Sequence, residues 1–396
     1  MNILQHLPNR QDVERIWDSL PHARLVGGVV RDLLINKPIS DIDLATPEQP
    51  DEIMTRLQKD KVKVIPTGLA HGTVTAVIHH RHYEITTLRK DVLTDGRHAT
   101  VAWTSNWQED AARRDFTINA IFCDRDGKIW DFFNGQQDLK DGRIRFVGHA
   151  AQRISEDVLR ILRFFRFYAR YGWGQADVEA LQAIQQSSEK LKTLSAERIW
   201  SELRKILIGP KVEAVLRLME ELGVLSVIFP LGYDLSFFSQ LMACEPPVED
   251  LLRFFAIAKG KPSQIVHQFR LSKNQEKYLQ SLAKFEKHLS SQDDDRVLKQ
   301  LLANYPLNIL ISKSWLCQAR ILASPSKEWD RWRKRLVNME LPIFPIKGQD
   351  IVDMQLAQGP EIGCLFQKAR EWWVKDGCNA SRAECLAWLK QHSSKE

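Results

Sequence analysis

The 396-residue chain has no run of about 18 apolar residues, so no segment is built to cross a bilayer as a helix. Its six cysteines (Cys123, Cys244, Cys317, Cys364, Cys378 and Cys385) are scattered, with no Cys-x-x-Cys pair. That excludes a disulfide-framed scaffold and a cysteine zinc site. Low-complexity tracts and internal repeats are lacking, and 44% hydrophobic with 27% charged residues excludes a disordered or collagen-like chain. Neither sign of charge dominates: 56 Lys and Arg face 50 Asp and Glu, giving +6 at pH 7. That surplus permits a nucleic-acid partner without requiring one. Met1 to Arg10 lacks both the basic-then-apolar pattern of a signal peptide and the Arg/Ser richness of a transit peptide, so a cytoplasmic location without membrane contact is expected. His79, His80 and His82 read as a polar turn between two strands rather than a metal site.

A chain this long exceeds one ordinary core and implies two to four units in series. Residues 1–148 mix the two periodicities. Helices are predicted over Gln11–Leu20, Val29–Ile35 and Asp51–Lys59. Strands are predicted over Arg24–Val26, Asp41–Ala45, Val62–Ile65, Val74–Ile78, Tyr83–Thr87, Ile118–Cys123 and Ile129–Phe132, the last two joined at Asp126-Gly127. After Gly148 strand signals nearly vanish and helical periodicity takes over, with one long helix predicted over Ile154–Tyr171. The fold class expected is α+β: a mixed head over 1–148, then an all-α neck (149–209), body (210–340) and tail (341–396), the last joint marked by Pro342 and Pro345. Trp372, Trp373 and Trp388 in the tail read as core rather than stacking platforms.

The chemistry centres on Ser40-Asp41-Ile42-Asp43-Leu44. In a strand, residues i and i+2 share a face, so Asp41 and Asp43 point together while Ile42 and Leu44 enter a core. Two carboxylates about 7 Å apart at the backbone can converge on one or two Mg²⁺ ions, which clamp the oxygens of a phosphoryl transfer. A solvated strand edge carries the same pattern, so the pair alone does not decide. Just upstream, Val26-Gly27-Gly28-Val29-Val30-Arg31-Asp32 places a double glycine between strand and helix. Glycines let backbone approach a phosphate, and Arg31 can fork onto its oxygens. It is neither a Walker loop nor a dinucleotide fingerprint. A turn suited to phosphate and a strand suited to metal, about a dozen residues apart, together make a site.

On a helical wheel over Ile154–Tyr171, Ile154, Val158, Ile161, Leu162, Phe165 and Ala169 form one apolar arc. Asp157, Arg160, Arg163 and Arg166 take the opposite side, with Phe164 and Phe167 between the charges. Aromatics inside a charged face suggest a second covered surface, such as a nucleotide pocket. An ordinary wet face with an Asp157–Arg160 ion pair is the plainer alternative.

Leu25-Val26-Gly27-Gly28-Val29-Val30-Arg31-Asp32 with Asp41-Ile42-Asp43-Leu44 resembles the opening signature of the class II tRNA nucleotidyltransferase and bacterial poly(A) polymerase superfamily. Three further blocks follow in the family's order: Arg113-Arg114-Asp115-Phe116-Thr117-Ile118-Asn119-Ala120, Glu156 to Phe167, and Ala196 to Leu203. The resemblance implies that Asp41 and Asp43 are catalytic and hold Mg²⁺, with Glu84 the candidate third acid. It implies that Gly28 and Arg31 hold a triphosphate, that Arg114, Arg163 and Arg166 contact the nucleotide, and that Asp157 and Arg160 pair with the base edge. Cytosine and adenine each present an amino donor beside an unprotonated ring nitrogen, so a carboxylate and a guanidinium together can choose C and A over U and G. Asp95-Gly96-Arg97-His98 looks like the flexible loop of CCA-adding enzymes. The activity implied is addition of CCA to tRNA from CTP and ATP, with poly(A) synthesis or partial CC or A addition as alternatives. A non-catalytic RNA-binding chain would not need Asp41 and Asp43. An appended phosphohydrolase is disfavoured because no adjacent His-Asp pair occurs.

Overall fold

Among the described residues, short β-branched and aromatic runs between Arg24 and Asp131 build nine strands: β1 (Arg24–Val26), β2 (Asp43–Thr46), β3 (Lys63–Gly68), β4 (Thr73–Ile78), β5 (Arg81–Thr87), β6 (Arg89–Thr94), β7 (Ala99–Trp103), β8 (Ile121–Cys123) and β9 (Ile129–Asp131). In this computed structural model, which describes residues 3–94 and 99–393, seven strands pair in the order β3-β4-β5-β2-β1-β8-β9, while β6 and β7 pair only with each other. β2 and β5 run parallel; the other neighbours in the large sheet are antiparallel.

Side-chain alternation splits that sheet into two faces. Leu25, Leu44, Val74, Ala76 and Ile85 pack with α1 (Arg10–Ser19), α2 (Gly28–Leu34) and α3 (Pro50–Lys59) through Ile16, Trp17, Val30, Leu33, Ile53 and Leu57. Val26 and Ala45 take the other face, against Phe122, Val147 and Ala111 of α4 (Trp107–Ala112). Asp43 shares the parity of Ala45, and Glu84 is opposite in parity to Ile85, so both carboxylates lie on this second face. Ile42 and Leu44 are buried in the first, as their spacing predicts.

After β9 every regular element among the described residues is helical. α5 (Gly135–Lys140), α6 (Ala150–Glu156), α7 (Arg160–Tyr171), α8 (Val178–Ser187), α9 (Ala196–Leu207), α10 (Val212–Glu221) and α11 (Val224–Ile228) complete one compact unit, Met1–Pro230. Leu231–Glu396 forms a second unit, whose helices run from Leu235–Ala243 to Arg382–His392. There Trp373 is core, as predicted, while Trp372 and Trp388 are half-buried and stack on each other with centroids 5.5 Å apart. Among the described residues no helix is long and apolar enough to cross a membrane. The His79-His80 step is a turn between β4 and β5, with φ of 48° and 62°.

Three sequence expectations are corrected. The helix predicted over Ile154–Tyr171 is two helices, because Asp157 leaves helical geometry (φ −152°, ψ 107°) and its carboxylate accepts the Leu159 N–H at 3.0 Å, starting a new turn. Phe164 is fully buried against Phe116, Phe146 and Tyr168, so it belongs to the core and not to a charged surface. Third, the residues on either side of the loop expected at Asp95-Gly96-Arg97-His98, not assigned to any strand from the sequence, form a paired ribbon, β6 and β7. A ribbon whose strands pair only with each other lacks the in/out alternation that marks a strand in sequence. The tetrapeptide Asp95-Gly96-Arg97-His98 lies outside the described residues.

Candidate active site

The second face of the sheet opens into a cleft of about 420 Å³ at the ends of β1, β2 and β5. It is lined by the Gly27-Gly28 turn, by Asp41, Asp43 and Glu84, and by Arg31, Arg114, Arg163 and Arg166, eight of the ten residues singled out by motif and resemblance when Gly28 stands for the turn. Arg89, Arg113, Asp115, Asn119 and Phe167 are among the further residues that line it.

The acids come from the sheet. Parallel pairing sets Asp43 of β2 directly against Glu84 of β5. Asp41 sits just before β2, exposed, with the Ser40 hydroxyl donating to its carboxylate at 2.8 Å. Burial, with the negative charges of Glu84 and Asp41 adding to it, pushes the Asp43 carboxyl up to about 6, while Arg114 pulls the other way. A carboxyl crowded by two others is a place where a cation relieves repulsion. Among the described residues no three or more His, Cys, Asp or Glu side chains are arranged to hold a metal unaided. The set suits an ion that takes one or two carboxylates and draws its other ligands from water and substrate phosphates, as Mg²⁺ does.

The arginines come from helices and loops, and buried acids hold them. Arg163 of α7 donates through Nε to Asp115 at 2.8 Å; Asp115 also accepts from Asn119 at 3.0 Å. Burial works against the Asp115 charge, yet Arg163 and Asn119 hold its carboxyl below the usual range. Arg166 reaches Glu202 of α9 at 3.4 Å. Arg31 is buried in the cleft wall rather than extended into it: it donates to both oxygens of Asp32 (3.0 and 2.9 Å) and to Asn119 (2.6 Å), and lies over the Tyr171 ring at 4.2 Å. Gly27, with φ of 71°, occupies backbone space that a residue with a Cβ rarely adopts.

Asp157 and Arg160 stand apart from this cleft. Arg198 of α9 donates to both oxygens of Asp157 at 3.0 Å. Arg160 donates to Glu156 at 2.7 Å and to the backbone oxygens of Arg153 and Arg113 at 3.0 and 3.2 Å. Each half of the pair therefore has its own ion partner rather than facing the other along one helix.

Reasoning from sequence assigned no role to Asp115, Asn119 or Asp110. The first two lie in and at the border of the mixed run Phe116 to Ala120, whose composition carries no signal for them. Asp110 lies three and four residues before the arginine pair, helical spacing that signals an ion pair.

A mixed sheet that presents an Asp-x-Asp step beside a double-glycine turn defines a nucleotidyltransferase head, and residues 23–145 match the family model described as the poly(A) polymerase head domain. Residues 177–234 match the one described as a probable RNA- and SrmB-binding site of polymerase A. The chain is 37% identical to the mitochondrial CCA tRNA nucleotidyltransferase 1 of Mus musculus, over 93% of this chain and 86% of that protein. It is 30% identical to the CCA-adding enzyme of Staphylococcus epidermidis, over 93% and 94% of the two chains. Likenesses of that extent show that the chain belongs to the CCA tRNA nucleotidyltransferase family. Its fold superposes on the Bacillus stearothermophilus CCA-adding enzyme solved with CTP, with a TM-score of 0.77, 26% identity and 97% of each chain covered. For the Thermotoga maritima CCA-adding enzyme solved with tRNA the score is 0.64 at 21% identity, a likeness of fold, over 98% and 97% of the two chains.

Proposed function

We propose that the protein adds C and A residues from CTP and ATP to the 3′ end of tRNA without a nucleic-acid template. The observation that carries this reading is the convergence of Asp41, Asp43 and Glu84 on one cleft whose opposite wall is arginine. Acids alone suit a metal; acids facing arginines across a small cleft suit a metal-bound polyphosphate.

In this mechanism the tRNA 3′-hydroxyl attacks the α-phosphate, a new phosphodiester forms, and pyrophosphate leaves. Asp41 and Asp43 would hold Mg²⁺, which would supply charge stabilisation for the phosphoryl transfer. Glu84, across the parallel register from Asp43, is the third acid of the set. Gly28 gives the triphosphate close approach to backbone, with Arg31 fixing the wall behind it. Arg114, Arg163 and Arg166 contact the nucleotide at its phosphates or its sugar. Asp157 accepts from the amino group of C or A and Arg160 donates to the ring nitrogen. For that, both exchange their present partners, Arg198 and Glu156, for the base. The head (1–148) carries the chemistry and the neck (149–209) the base choice, while the body (210–340) and tail (341–396) receive the tRNA. We place the protein in the cytoplasm.

The deciding experiment supplies tRNA lacking its 3′ end with CTP, ATP or both. Growth that halts after CCA is the expected result. A long A tail assigns the chain to poly(A) synthesis, the activity that the description of its head-domain family names. A halt at CC, or addition of A alone to a CC end, assigns a partial enzyme.

A further inference from the structure

Behind the cleft lies a carboxylate that no step above uses. Asp110 of α4 is wholly buried and does not line the cleft, so it touches neither nucleotide nor metal. Its two oxygens are nevertheless committed. Oδ2 accepts from Arg114 Nη2 at 2.8 Å and Nε at 3.2 Å, while Oδ1 accepts from Arg113 at 2.8 Å and from the Arg89 backbone N–H, at the foot of β6, at 3.3 Å. Burial works against its charge, but Arg114 and Arg113 outweigh that and keep the carboxyl ionised below the usual range.

The geometry points to Asp110 as a positioning residue that aims Arg114 at the triphosphate, a role that rests on the nucleotidyl-transfer reading of the cleft. The fork fixes the guanidinium plane. With Nε and Nη2 turned back to Asp110, the remaining amine, Nη1, faces the double-glycine turn, only 3.7 Å from where a Cβ on Gly27 would sit. One acid serving two arginines also leaves a net positive charge turned toward the cleft, whereas a one-to-one pair would leave none. A planar fork held from behind loses little freedom when it binds phosphate, so the orientation itself contributes to affinity. The same carboxylate fastens the foot of the β6–β7 ribbon to the arginine pair through the Arg89 N–H.

The test is steady-state incorporation and direct CTP binding by the full chain and its Asp110→Asn, Asp110→Glu, Arg114→Ala and Asp110→Asn/Arg114→Ala variants. Losing a charge-assisted fork is expected to raise the KM for CTP and for ATP about tenfold. In Asp110→Asn and Asp110→Glu, turnover at saturating nucleotide and the KM for tRNA stay near their original values. Because Asp110 acts through Arg114, the double variant is expected to bind CTP no worse than Arg114→Ala. Asp110→Glu keeps the charge but moves the fork by one methylene, so it folds and still binds CTP less tightly. An Asp110→Asn protein that folds and keeps its nucleotide KM overturns the assignment, as do losses that multiply in the double variant. If Asp110→Asn does not fold, an Asp110→Glu protein with undiminished CTP affinity overturns it instead. An unsubstituted chain that incorporates neither C nor A overturns the reading of the cleft itself, an outcome separate from any difference among the variants.

Discussion

The two walls of the cleft are built by opposite means. On the sheet wall, backbone pairing fixes the acids: Asp43 and Glu84 are side by side because β2 and β5 are in parallel register, whatever their side chains prefer. Burial first, and repulsion from Glu84 and Asp41 after it, leave Asp43 with a raised proton affinity. On the helical wall the side chains fix one another: Arg114 leans on Asp110, Arg163 on Asp115 and Arg166 on Glu202. Function on the first wall costs the fold stability, whereas on the second the charges that face substrate also hold the wall together.

Substitution should separate the two sharply. Asp43→Ala or Asp41→Ala is expected to lower incorporation at least about a thousandfold, since it removes a ligand that the proposed mechanism assigns to the metal, yet leave the fold intact. Asp43→Asn should even hold or raise the thermal midpoint at neutral pH, where the ionised carboxylate is repelled by Glu84 and Asp41. Primer extension beside a melting curve checks both, and near-normal turnover would refute the metal assignment. Arg163→Ala should behave the other way. It strips the buried Asp115 of its cationic partner and is expected to cost about 3 kcal/mol in urea unfolding, on top of any loss of activity. A fully stable Arg163→Ala protein would break the distinction between the walls.

The same contrast explains what could be read in advance. The sheet wall was legible because its determinants are local: Asp43 stands between the apolar Ile42 and Leu44, so period 2 sets its face, while Asp41 reaches the same cleft from just before the strand rather than from within it. The Gly27-Gly28 turn was legible for the same reason. Glu84 needed the family resemblance, since nothing in Tyr83-Glu84-Ile85 says which strand it will lie beside. The helical wall was half legible. Its arginines stand out in Arg113-Arg114 and Arg163 to Arg166, but their anchors are up to 48 residues away, as Asp115 is from Arg163, and no local period reports such a partner. The break at Asp157 was hidden because apolar spacing continues through it; a side-chain hydrogen bond to Leu159, not the pattern of hydrophobics, ends the helix there.

Base choice tests the helical side beyond the cleft wall, where Asp157 and Arg160 lie. Arg160 is held by Glu156 and two backbone oxygens, so Arg160→Ala is expected to leave a folded enzyme that still transfers nucleotides. Discrimination for C and A against U and G should fall by about 1–3 kcal/mol, the worth of one good base-edge contact. Competition between CTP and UTP on a tRNA lacking its 3′ end measures it. Unchanged selectivity would mean that the choice is made by residues other than Arg160.

The smallest effect expected is also the one that isolates the sheet wall, because arginines do not titrate near neutrality and crowded carboxylates do. The Asp43 carboxyl stands at about 6, lifted first by burial and then by Glu84 and Asp41. It therefore keeps its proton below that pH and releases it above, and only the ionised form binds a divalent cation. Affinity for Mg²⁺ should be level above pH 7 and decline as pH falls through 6. At pH 5, one unit below the midpoint, it should be about tenfold weaker. Calorimetric titration with Mg²⁺ in the absence of nucleotide avoids the titration of the triphosphate itself, and at pH 6 should also register proton release on binding. A Mg²⁺ affinity that does not change between pH 5 and 7.5 would mean that Asp43 does not take part in holding the ion, and that the repulsion built into this wall is spent on something other than metal.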